Sequence, residues 1–211
     1  MANGATIQYT GTAQAVIDAY NSSTPLWLLE DPRNTGTPEL FAVVNNSSRA
    51  QITSYAKSTG SAVSAYFTKS GQSSPVPFNN IVTTLVTDMT QLLREAYVFN
   101  KNVSDWDTSN VTNMFGMFEY TGAFEQDISK WNVANVTLMG QMFHGASKFN
   151  SDISGWNTSN VTNMNYMFHD ATLFNRNLNG WNVANVTSEY RINFASPAHI
   201  ANNTLQPIWP L

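Results

Sequence analysis

Residues 106–130 read WDTSNVTNMFGMFEYTGAFEQDISK, residues 131–155 read WNVANVTLMGQMFHGASKFNSDISG, and residues 156–180 read WNTSNVTNMNYMFHDATLFNRNLNG. A partial fourth copy, WNVANVTSEY, fills residues 181–190. Trp106, Trp131, Trp156 and Trp181 thus recur every 25 residues. A fixed period of this size marks a stacked-repeat architecture, in which one unit is too small to bury its own apolar face.

Working outward from the tryptophans, the register holds position by position. Val111, Val136, Val161 and Val186 each follow a tryptophan by five residues. Met114, Met139 and Met164 come next, then Met117, Met142 and Met167 beside Phe118, Phe143 and Phe168. Phe124, Phe149 and Phe174, with Ile128, Ile153 and Leu178, complete the set. If one repeat is one coil, these residues form apolar columns along the stack. Full burial of each such side chain contributes roughly 1.5–3 kcal/mol. Only neighbouring coils can supply that burial, so several must fold together under distinct caps.

This combination of Trp, Asn-Val-Thr, Met-Phe and Asp-Ile-Ser at constant spacing resembles the BspA-type leucine-rich repeats of bacterial surface proteins and lipoproteins. The resemblance covers roughly residues 82–190. It implies a right-handed solenoid with one short strand per coil and a tight turn opposite. It also implies adhesion or partner binding rather than catalysis, and it names no ligand. The chain has no cysteine, unlike lipid-anchored members of that family.

Of 211 residues only 11% are charged, the net charge is −4 and the pI is near 5.2. No basic patch suits a phosphate backbone, so no nucleic-acid partner is expected. Residues 1–80 carry four basic and four acidic groups, while residues 81–211 carry six and ten, so the negative excess lies with the repeats. The absence of cysteine excludes disulfides and thiolate metal sites. MANGATIQYT does not read as a secretory signal. No membrane span is expected, for want of 18 consecutive apolar residues. A virion or an extracellular or cell-surface location is the expectation.

Before the repeats, residues 5–10, Leu26–Leu29, Leu40–Val44 and Ala62–Thr68 read as strands. Thr12–Tyr20 reads as a helix, and Asn45–Ser48 as a turn able to cap a second helix through Ala56. Ser70–Phe78 is the expected boundary. The expected organisation is a small α+β module at 1–78 and a solenoid of about four to five 25-residue coils at 79–211. The fold class is therefore α+β with a right-handed leucine-rich-repeat-like solenoid.

Residues 80–105 read as a degenerate first coil, with Met89 aligned to Met114, Leu92 to Met117, Leu93 to Phe118 and Phe99 to Phe124. Past Thr187 the pattern fails. Ile192 replaces a methionine and Asn193 a phenylalanine, so a cap is expected from about residue 190, with the tail folded over the open end. Thr108-Ser109 and Thr158-Ser159 alternate with Val133-Ala134 and Val183-Ala184. Two readings stand: the unit was copied as a pair of coils, or unlike pairs pack against each other between coils.

Asn110, Asn135, Asn160 and Asn185 form one polar column, and Asp107, Asn132, Asn157 and Asn182 another. Asx side chains satisfy backbone groups at sharp bends, so both read as structural ladders. Asp127 and Asp152 with Asn102 and Asn177 make an oxygen column without calcium-loop spacing. The Asn-Val-Thr triplets match the glycosylation pattern, yet fold periodicity explains them. His144, His169 and Glu119 share a repeat position and could meet a metal or sense pH, but read first as solvated surface. No nucleophile elbow or phosphate loop occurs, so no catalytic residue, cofactor or metal is expected.

Positions that vary between copies are expected to face outward. They are Phe115, Gly140 and Asn165; Glu119, His144 and His169; Glu125 and Asn150, with Arg176 in the adjoining position; and Lys130. These form the candidate partner-binding face. The expected role is a non-enzymatic structural or recognition protein meeting a protein or glycan on a cell or particle surface. A virion component is slightly favoured, with capsid or tail proteins or further copies of the chain as partners. A microbial adhesin is the alternative, and a glycan-active enzyme a distant third.

Overall fold

The computed structural model describes residues 26–30, 39–58, 76–197, 201 and 205–209. The strands expected at 5–10 and 62–68 and the helix expected at 12–20 lie outside the described residues. Strand β1 is Leu26–Glu30 and strand β2 is Glu39–Asn45; they pair antiparallel from Leu26 opposite Val43 to Glu30 opposite Glu39. Helix α1 is Ala50–Lys57, and strand β3 is Ile81–Leu85, parallel to β2 in the sheet order β1-β2-β3. That sheet crosses the division expected at residue 78. Val76 and Phe78 are buried, and one apolar core runs from Ala42 through the repeats to Phe194.

Asn45 closes the turn before α1 rather than capping the helix. Its Oδ1 accepts from the amides of Ser47 and Ser48, while the cap position is Arg49. The helix then seats on the first coil. Arg49 Nη1 donates to the Thr90 carbonyl at 3.2 Å, and Thr53 Oγ1 to the Leu92 carbonyl at 2.7 Å.

From Met89 onward, successive 25-residue units lie one on another. Met89, Gln91, Leu93 and Glu95 donate their amides to the carbonyls of Asn113, Phe115, Met117 and Glu119. Met114, Gly116, Phe118 and Tyr120 do the same to Leu138, Gly140, Met142 and His144, and the pattern repeats from Met139. The intervening amides bond within their own unit: Phe115 to Asn113 Oδ1 two residues back, then Met117 to Met114 and Glu119 to Gly116 three residues back. Regular strands are replaced by single parallel bridges linking Asp88, Asn113, Leu138 and Asn163. Each turn needs two left-handed residues, and these recur in register: Gln91, Gly116, Gln141 and Tyr166, then Glu95, Tyr120, Gly145 and Asp170, with φ between 52° and 67°.

Inside, the columns are continuous. Phe118, Phe143 and Phe168 stack at 5.5 and 5.6 Å between ring centres, and Phe99, Phe124, Phe149 and Phe174 at 5.6–6.1 Å. Trp106 lies on Trp131, and Trp156 on Trp181, both at 6.3 Å. Each indole donates to a carbonyl one unit back: Trp106 to Phe78, Trp131 to Val103, Trp156 to Ile128 and Trp181 to Ile153. A buried indole N–H otherwise costs the desolvation of its donor, about 1–3 kcal/mol.

The Asn-Val-Thr triplet stitches units together. Asn110, Asn135, Asn160 and Asn185 donate Nδ2 to the carbonyls of Thr84, Ser109, Ala134 and Ser159. The valine is core, and the threonine hydroxyls of Thr112, Thr137 and Thr162 donate backward to Thr87, Thr112 and Thr137. The alternating pair has a physical counterpart as well. Thr108 and Thr158 donate hydroxyls forward to Asn132 and Asn182, whereas Val133 and Val183 are simply buried.

Both ends of the aromatic stack finish edge-on, with Phe78 against Phe99 and Phe194 against Phe168. At the second end the register slips. Met164, Tyr166 and Phe168 donate to Tyr190, Ile192 and Phe194, two residues further along than in the repeats. The expected replacements at 192 and 193 are therefore corrected: Ile192 is exposed, Asn193 takes a left-handed turn, and Phe194 fills the buried place. The short 3-10 turn Ser188–Tyr190 accompanies the slip. Trp209 closes over Phe194 at 5.0 Å, with the Arg191 guanidinium 5.9 Å above its ring.

Candidate functional site

Among the described residues, two places gather chemically active side chains. The first is a shallow groove of about 570 Å³ lined by Glu125, Asp127, Ser129, Lys148, Asn150, Ser151, Asp152, Leu173 and Arg176. The 25-residue step puts Glu125, Asn150 and Asn175 side by side, with Arg176 one position further on. Arg176 Nε donates to the Asn150 carbonyl at 2.8 Å, and the Asn175 amide to Asn150 Oδ1 at 3.3 Å. Asn100 continues the row, donating Nδ2 to Glu125 Oε1 at 3.0 Å.

The groove carboxylates are fixed by Asx turns. Asp127 Oδ1 accepts from the Ser129 amide and the Ser151 hydroxyl, and Asp152 Oδ1 from the Ser154 amide. Hydrogen bonds from the Ser129 amide and hydroxyl hold Asp127 below its ordinary carboxylate range, and those from the Ser154 hydroxyl and amide do the same for Asp152. Asn102 and Asn177 make the same turn with Ser104 and Asn179, so the whole oxygen column spends one oxygen per residue on its own backbone.

The second place is a turn where His144, His169, Glu119, Asp170 and Arg94 converge. Arg94 Nε lies 2.8 Å from Glu119 Oε2. His144 Nδ1 faces Glu119 Oε1 at 3.6 Å, and His144 Nε2 lies 4.0 Å from Asp170 Oδ2. His169 Nδ1 lies 3.2 Å from that same oxygen. The Tyr120 ring sits 4.8 Å from the His144 ring, and the two imidazoles meet edge to face at 5.2 Å. Burial holds His144 below the ordinary imidazole range, with the His169 charge adding to the effect; Glu119 and Asp170 oppose it.

The candidate face therefore divides. Glu125, Asn150 and Arg176 share the groove, while Lys130 is exposed outside its lining. Two residues expected outside are inside. Glu119 is only 5% exposed, turned in by Arg94. Gly140 is buried under its neighbours: an added Cβ would collide with Asn165 Oδ1 and come within 2.8 Å of the Phe115 ring. The solvated-surface reading fails for His144, whose side chain is 15% exposed, whereas the His169 side chain, at 38%, does reach solvent. Sequence reasoning missed Asp170, Arg94, Lys148 and Leu173. The signal for the last two was present, because their column runs Val98, Ala123, Lys148 and Leu173 without a constant residue.

Residues 61–153 and 87–206 match the family described as "Mycoplasma protein of unknown function, DUF285". The chain belongs to the DUF285 family. The stacked units of this DUF285 chain, its groove and its histidine turn all fall within the matched residues. Among curated proteins and solved structures, none matches the chain. Among the described residues, no helix is long and apolar enough to cross a membrane.

Proposed function

We propose that this DUF285 chain is a non-enzymatic recognition protein. In this reading its repeats form a right-handed, leucine-rich-repeat-like solenoid of the BspA type, and the Glu125–Arg176 groove reads a surface glycan. One observation carries the proposal. Side chains that differ from repeat to repeat, Glu125, Asn150 and Arg176, are delivered by constant columns into one groove.

The chemistry of the groove suits a hydroxyl-rich ligand. Two carboxylates held ionised accept hydrogen bonds, Arg176, Lys148 and Asn150 donate them, and Leu173, 57% exposed, offers an apolar surface. The hydrogen-bonded ladder beneath keeps these groups in place without ligand, which lowers the ordering cost of binding.

The family description names a bacterium, which favours a microbial surface adhesin. A virion component is the second reading, favoured by a chain with only 11% charged residues and many side-chain amides. The test is a glycan array probed with the full chain, alongside Arg176→Ala and Asp152→Asn variants. Binding lost in both variants supports the proposal. No binding by the full chain, or binding that ignores both substitutions, overturns it, as does turnover of a bound glycan. Adherence to host cells against co-sedimentation with particles separates the two settings.

A further inference from the structure

We propose that His144, His169 and Asp170 form a binding site for a divalent transition metal ion of the zinc class, with Glu119 as the positioning residue for His144. The site is separate from the groove, and neither proposal depends on the other.

The ligand geometry is close to what such an ion needs. Three donor atoms, one from each residue, lie within 4.8 Å of one another. Asp170 Oδ2 is shared, at 3.2 Å from His169 Nδ1 and 4.0 Å from His144 Nε2. An ion bonded at about 2.0–2.2 Å in a tetrahedron sets its ligand atoms roughly 3.3 Å apart. The nearer pair already satisfies this, and the other separations have to shorten when the ion binds. The Tyr120 hydroxyl, 3.5 Å from His144 Nε2, is too distant to hold that nitrogen's lone pair strongly.

The surroundings carry the independent argument. Metal-ligating imidazoles usually turn their second nitrogen toward a carboxylate, which sets the tautomer and the ring plane. His144 Nδ1 faces Glu119 Oε1 at 3.6 Å, and that carboxylate is itself gripped by Arg94 at 2.8 Å. The Nδ1 atoms of His144 and His169 are shielded from water and meet only the carboxylate oxygens of Glu119 and Asp170, at 3.6 and 3.2 Å, neither in hydrogen-bond geometry. Buried polar nitrogens ordinarily have partners, and a bound ion would supply one to His169 and tighten the Glu119 contact on His144. Backbone bonding fixes the spacing, because Tyr120 donates to the His144 carbonyl and Gly145 to the His169 carbonyl. Two imidazoles and one carboxylate select zinc-like ions over calcium or magnesium, which prefer all-oxygen shells. The fourth position is left for water or a ligand atom from a partner.

The experiment uses the untagged full chain after chelator treatment. Zn²⁺ is titrated calorimetrically, and Co²⁺ is followed by its visible absorption. The expected result is one ion per chain, a tetrahedral cobalt spectrum, and at least a tenfold loss of affinity in His169→Gln and Asp170→Asn, both at partly exposed positions. Glu119→Gln lowers affinity by about 10–100-fold while cobalt remains tetrahedral, as expected for a group acting through His144. No uptake at micromolar ion, or uptake that survives His169→Gln and Asp170→Asn, overturns the proposal. His144→Ala is scored only if its circular dichroism matches the parent.

Discussion

Asp107 is the one acid in a column otherwise made of Asn132, Asn157 and Asn182, and it is 3% exposed. Its Oδ1 accepts from the Ser109 amide and hydroxyl, but Oδ2 is buried without a hydrogen bond. Asp107→Asn keeps the Asx turn and removes a poorly solvated charge. We expect stability to rise by about 1 kcal/mol, because the amide that replaces Oδ2 is neutral and costs less to bury than a carboxylate oxygen, read as a higher urea midpoint at unchanged slope. A lower midpoint would show that the carboxylate has a use the Asx turn does not explain. Asp127 sits in the same kind of turn but in the groove, and there the hydrogen bonds favour the charged form. Ser129→Ala removes the hydroxyl contribution, so the Asp127 carboxyl should titrate at higher pH by NMR. Because the folded value lies below the unfolded one, this group stabilises the fold above the ordinary carboxylate range. That contribution is lost as pH falls through the folded value. The variant should therefore lose its share at a higher pH than the parent.

At the scale of elements, α1 acts as the unit before the first unit. In the repeats, the carbonyls of Gly140 and Met142 accept amides from the preceding coil. Their equivalents in the first coil, Thr90 and Leu92, accept from Arg49 and Thr53 of the helix instead. An open edge of backbone acceptors is thereby covered, which is what an end coil requires. Thr53→Val keeps the shape and removes the donor to Leu92. We expect a cost of about 1–2 kcal/mol, with amide exchange rising first at Leu93 and Ala96 while Met142 and Phe143 keep their protection. Uniform loss of protection along the chain would mean that α1 does not cap the stack locally. None of this is legible in the sequence. The residues around Arg49 signal a helix, but which backbone acceptors it meets depends on tertiary placement that local propensity does not encode.

Across the whole molecule, legibility followed repetition. Apolar columns occupied by the same residue in every copy, such as Phe118, Phe143 and Phe168, are buried where the register puts them. Positions that vary were harder, because variation marks both exposed sites and local exceptions. Glu119 varies and is buried by Arg94, and Gly140 varies because Phe115 and Asn165 leave no room for a side chain. The end slip was hidden for a similar reason, since two extra residues move Phe194, which counting aligns with His169, into the buried place that counting assigns to Ile192. The register that made the columns readable also allows units to be removed. Deleting residues 131–180 takes out two units and joins Lys130 to Trp181. Trp181 then stands after Trp106 as Trp131 does now, and Thr108 again faces an Asn-Val-Ala unit. Met114, Gly116 and Phe118 can donate to Tyr190, Ile192 and Phe194, as Met164, Tyr166 and Phe168 do in the intact chain. Both caps survive, while the groove and the histidine turn are lost. The shortened chain should unfold cooperatively, with a smaller denaturant slope in keeping with the smaller surface it exposes. Deleting residues 131–142 alone breaks the step and should abolish the cooperative transition. If the two deletions behave alike, stacking of equivalent positions is not what holds this protein together.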